Sequence, residues 1–144
     1  MSRERRRRAD KLLDARQRGI DLAEAELGSL ARATLEANGR AESARTSWRA
    51  RMEWHRAAVC SSDDLAREHA YLATLEKQAT LLADAAREAK AREEIARLKV
   101  CNAKTEHKKV ETWRDRLVEA VRLEDTRIER LQSDELAARV SRKT

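Results

Sequence analysis

The sequence predicts an all-α protein in which two long helices form an antiparallel coiled-coil hairpin. Three observations predict it. Apolar residues recur with a seven-residue period along both halves of the chain. The only cluster of turn and capping residues falls between those halves. The composition, 40% charged and 3% aromatic with no phenylalanine in 144 residues, cannot fill a thick core but suits long solvated helices. A disordered chain would share the charge but would lack a stripe sustained over many heptads.

The chain opens on a basic run, with Arg5, Arg6, Arg7 and Arg8 in succession. Such a run is either a solvated helix start or a contact for an acidic partner. Helix 1 is expected over about residues 3–59. Its seam carries Leu13, Ile20, Leu27, Thr34, Ala41 and Trp48, and three residues further on Ala23, Leu30, Ala37, Ala44 and Ala58. Gly19, Gly28 and Gly39 interrupt it, each costing about 1 kcal/mol relative to alanine, so this is the softer helix.

The turn is expected at residues 60–63, inside the run Cys60, Ser61, Ser62, Asp63 and Asp64. Ser61 with Asp64 three residues later resembles a capping box, and both aspartates suit the positive end of a starting helix. Helix 2 is expected over about residues 64–140. Leu72, Ala79, Ala86, Val100 and Val121 hold one seam position; Leu75, Leu82, Ala89, Ala96, Ala103, Val110 and Leu117 hold the other. There is no proline in the chain and no glycine after Gly39, so nothing in this stretch forces a stop.

In an antiparallel pair the numbers of opposing residues add to a constant. A value of 123 sets Leu13 against Val110, Ile20 against Ala103, Leu27 against Ala96, Ala41 against Leu82 and Trp48 against Leu75. It also returns the turn to the place the capping residues mark. Imperfect layers remain: Leu30 faces Glu93, Arg16 faces His107 and Arg51 faces Leu72. Polar groups on a seam cost stability and fix register. Helix 1 runs out near position 122 of helix 2, so Ile128, Leu131, Leu136 and Val140 extend past it as a frayed tail or a docking segment.

The chain carries no Gly-rich phosphate loop, no Cys-x-x-Cys, no His-Glu-x-x-His and no nucleophile beside a base, so an enzyme is not expected. His55, His69 and Cys60 gather near the turn without ligand-pair spacing; neither a metal nor a cofactor is expected. Cys60 and Cys101 are about 60 Å apart by helical rise and cannot bridge within one chain, which fits a reducing compartment. No apolar run is long enough for a signal peptide or a membrane span, and the expected location is the cytosol. A net charge of +6 favours an acidic partner. The basic start ahead of heptads evokes a basic-leucine-zipper. It is too short for one, lacks the asparagine-bearing base-reading pattern and leads into a hairpin, so nucleic acid is not the expected partner. Trp48, Trp54 and Tyr71 cluster within a few turns of the hairpin tip, where a two-helix structure cannot bury them completely and leaves them available as interface anchors.

The stretch Tyr71-Leu-Ala-Thr-Leu-Glu-Lys77 and the tail from Trp113-Arg-Asp-Arg-Leu through Asp134-Glu-Leu-Ala-Ala-Arg-Val140 resemble the FliJ/YscO family, the central-stalk proteins of flagellar and virulence type III secretion. The similarity spans helix 2 and reaches helix 1 only in pattern. This chain departs from the family in its very short turn and in alanines where larger residues are common on helix 1. The resemblance implies a monomeric bacterial cytoplasmic protein, peripheral to the membrane-embedded secretion apparatus, that joins a hexameric export ATPase to the cytosolic domain of the export gate and escorts chaperones. It assigns Trp48, Tyr71 and Leu75 to the gate. The paired termini, Arg5 to Arg8 with Ile128, Leu131 and Leu136, fall to the ATPase. A self-associating scaffold and a basic nucleic-acid binder are the alternative readings, separable by concentration-dependent mass and by salt-sensitive affinity for duplex DNA.

Overall fold

The computed structural model describes residues 2–57 and 61–142. They form two helices, α1 (Ser2–Ala57) and α2 (Ser62–Ser141), which pack against each other, and no strand occurs among the described residues. The backbone explains their length. No described residue has a cis peptide bond or positive φ, and the three glycines of α1 keep helical geometry.

The start of α2 is two residues earlier than the sequence suggests, and the cap is the reason. Ser61 Oγ accepts a hydrogen bond from the Asp64 amide at 3.3 Å while donating to Asp64 Oδ2 at 2.7 Å. Ser61 O takes the Leu65 amide at 2.9 Å. Ser61 is thus the N-cap, and the helix proper begins at the next residue. Asp63 and Asp64 occupy the first turn, where their charge opposes the helix dipole. The expected positions 58–60, including Ala58 and Cys60, lie outside the described residues.

Both apolar seams are covered. Ile20 and Thr34 are buried on α1, and Leu72, Ala86, Ala96, Val100 and Val121 on α2; every other predicted apolar seam residue among those described is half-buried. Ala9, seven residues before Arg16, extends the α1 seam and has 0% exposure. Arg16 itself stays in solvent. The core is thin: none of the larger side chains is fully buried among the described residues. Stability is therefore spread over many small contacts.

The chain divides into two compact units, each built from a stretch of both helices. Unit one joins Met1–Leu22 with Cys101–Thr144; unit two is Ala23–Val100. Within unit one, Arg3 reaches Asp125 across the helix pair at 2.8 Å. Within unit two, Arg51 binds Glu68 and the His55 and His69 rings meet. The numbers of these facing residues all add to within a few of 123, the antiparallel register expected from the seams. Thr34 satisfies its hydroxyl locally by donating to Leu30 O at 3.0 Å, which lets a polar residue sit 4% exposed on the seam.

Candidate functional site

In unit two a cross-helix cluster forms near the start of α2. Arg51 and Trp54 are three residues apart on α1, and Glu68 and Tyr71 are three apart on α2, so each pair shares a helix face. The Arg51 guanidinium donates through Nε to Glu68 Oε1 and through Nη2 to Oε2 at 2.7 Å, a two-pronged ion pair. The same guanidinium lies 4.1 Å from the centre of the Trp54 ring and 5.2 Å from that of Tyr71. Both distances are within cation–π range. Arg51 thus orients two aromatic rings that remain 49% and 50% exposed. Its hydrogen bond holds the Glu68 carboxyl below the ordinary carboxylate value, with the charges of Arg51 and His55 acting in the same direction.

The three residues assigned to an export-gate contact separate by burial. Tyr71 belongs to this exposed cluster, whereas Trp48 and Leu75 are half-buried on the seam. Trp48 walls an open groove of about 770 Å³ whose floor includes Ala41, Ala79, Ala83 and Ala86. Small side chains in these layers leave the space that larger ones would fill. The sequence placed Trp54 near the tip as an available interface anchor without assigning it a partner, and Arg51 read only as a flaw in the seam. The signal was present in the i, i+3 spacing of Arg51 to Trp54 and of Glu68 to Tyr71.

No known protein family, curated protein or solved structure matches this chain.

Unit one carries the arginine run. Arg5, Arg6, Arg7 and Arg8 are all exposed; Arg8 pairs with Glu4 at 2.6 Å, and the other three enter no ion pair among the described residues. Arg3, Arg6 and Arg7 line a shallow pocket with Asp10, Val121 and Asp125, so carboxylates dilute the positive field there. Ile128, Leu131 and Leu136 are 46%, 55% and 62% exposed. From Thr126 onward every described residue of α2 is exposed. Among the described residues no group of three His, Cys, Asp or Glu side chains is placed to hold a metal, and no helix is long and apolar enough to cross a membrane.

Proposed function

We propose that this chain is a central stalk of a type III secretion system, linking the hexameric export ATPase to the cytosolic domain of the export gate and escorting chaperones. It has no catalytic role in this reading. The observation that carries the proposal is the Arg51-centred platform with the half-exposed Trp54 and Tyr71, a pre-oriented aromatic surface of the kind that anchors protein interfaces. The exposed arginines of unit one and the tail with Ile128, Leu131 and Leu136 support a second, chemically distinct contact for the ATPase. The resemblance of Tyr71 to Lys77 and of the tail to the stalk family supports the same assignment.

The test compares binding with folding. Tyr71→Ala and Trp48→Ala are expected to weaken association with the export-gate domain by about thirtyfold, the equivalent of about 2 kcal/mol, while circular dichroism stays helical. Charge reversal of Arg5 to Arg8 is expected to weaken ATPase binding and to matter less at high salt, because exposed charges are screened beyond about 8 Å. Normal gate binding by both aromatic variants, or unchanged ATPase stimulation by the charge-reversed chain, overturns the reading. Exposed Leu22, Leu35, Leu81, Ile95 and Leu98 favour the alternative of a self-associating scaffold, which predicts that mass rises with concentration in sedimentation.

A further inference from the structure

His55 on α1 and His69 on α2 face each other within unit two, their ring centres 5.2 Å apart and their planes inclined at 66°. The pair has an unusual feature. His55 Nδ1 is buried and has no hydrogen-bond partner. Buried polar atoms are nearly always satisfied, and an orphan calls for a ligand, an ion or a water to explain it. Two neighbouring imidazoles are also a donor set of the type that borderline divalent metals prefer.

The separation fits that chemistry. Two imidazoles on one tetrahedral ion, at Zn–N lengths of about 2.0–2.1 Å, place their ring centres about 5 Å apart. Charge is compatible as well. Arg51, four residues before His55 on α1, is neutralised by its two-pronged bond to Glu68, and the Glu68 carboxylate interacts favourably with positive charge at His55. No third His, Cys, Asp or Glu among the described residues completes a cage, so water would fill the remaining positions.

We infer that His55 and His69 form a two-histidine site for a first-row divalent cation of the zinc, nickel or copper type. The ligands come from different helices, so a bound ion ties α1 to α2 close to the start of α2. Metal binding and helix-pair stability are then linked: an ion that binds only when both helices are in place stabilises the paired state. This site stands independently of the secretion-stalk reading, since it depends only on His55, His69 and their immediate surroundings.

The experiment uses the full chain, stripped with chelator and titrated with ZnCl₂ and with NiCl₂ by calorimetry, alongside thermal melts. One ion per chain is expected, with a rise in melting temperature of about 3 °C at saturation, matching roughly 1 kcal/mol for a chain of this size. His55→Gln and His69→Gln should each weaken binding at least tenfold and abolish the metal-induced rise. His107→Gln, which changes the remaining histidine, should leave both intact. Far-ultraviolet circular dichroism verifies that each variant remains helical. The electron paramagnetic resonance of bound Cu²⁺ should show nitrogen coupling that is altered in either single variant. Absence of binding by the wild-type chain overturns the inference, as does binding that survives in His55→Gln and His69→Gln.

Discussion

At the scale of single residues, two buried or half-buried carboxylates behave differently. Glu68 makes its bonds across the helix pair, so its charge state reports on the tertiary structure. Its carboxyl is held below the ordinary value of 4.5 chiefly by the Arg51 hydrogen bond. A carboxyl with a lowered folded-state pKa adds stability that is fully present above its unfolded value and is lost as the pH falls through the folded one. The difference in melting temperature between wild type and Glu68→Gln should therefore be constant above about pH 5 and shrink on acidification below it. A difference that grew toward low pH would contradict the assignment. Glu93 instead sits 7% exposed on the seam, with Arg97 at 2.9 Å and Lys90 at 3.8 Å, both from its own helix. Its desolvation is offset only by half-exposed partners, and apolar replacements of such groups are often stabilising. Glu93→Leu should raise the melting temperature by about 3 °C, corresponding to roughly 1 kcal/mol. A loss of single-species behaviour in sedimentation would identify Glu93 as a device that fixes register.

At the scale of elements, α1 carries an avoidable weakness. A methyl group added at Gly19, Gly28 or Gly39 meets nothing within 4 Å, and none of the three has positive φ. Each glycine therefore imposes its entropic cost without a packing reason in the described structure. Neighbouring sites are at least about 13 Å apart along the helix, far enough for their effects to add. The triple Gly→Ala variant should gain about 3 kcal/mol in total, read as a higher urea midpoint with an unchanged slope. A destabilised triple variant would mean that one glycine receives a partner helix at close range, and the three single variants would identify which.

At the scale of the whole molecule, burial and helical content are not the same property. The described part of α2 beyond Asp125 is helical yet exposed throughout. A helical segment without apolar packing is marginal on its own. Removing residues 128–144 should therefore shift the melting temperature by no more than about 2 °C, whereas hydrogen exchange over 128–142 in the intact chain should be much faster than over 72–121. A large drop in melting temperature would show that the tail is part of the stabilising core. If the truncated chain remains as stable as wild type and loses ATPase binding, the tail is a docking segment, as the stalk reading requires.

The hairpin was legible because a heptad stripe needs only residue type and spacing. Leu13, Ile20 and Leu27 on α1 and Leu72, Val100 and Val121 on α2 declare a buried face by period alone, and Ser61 with Asp64 declares where the second helix begins. Ala9 could have been read the same way, one heptad before Arg16. The candidate site was only half legible. Period assigns a residue to a face, but it does not say how far a long side chain reaches from that face or which ring it meets. Arg51 looked like a defect until its guanidinium was seen between Trp54, Tyr71 and Glu68. The approach of His55 to His69 was foreseeable from the register, but the unsatisfied His55 Nδ1 was not. Two helices and their pairing follow from residue type and spacing, because backbone periodicity is a local property. Tertiary structure alone decided which polar and aromatic groups were brought together, because that depends on side-chain rotamers meeting across the interface between helices.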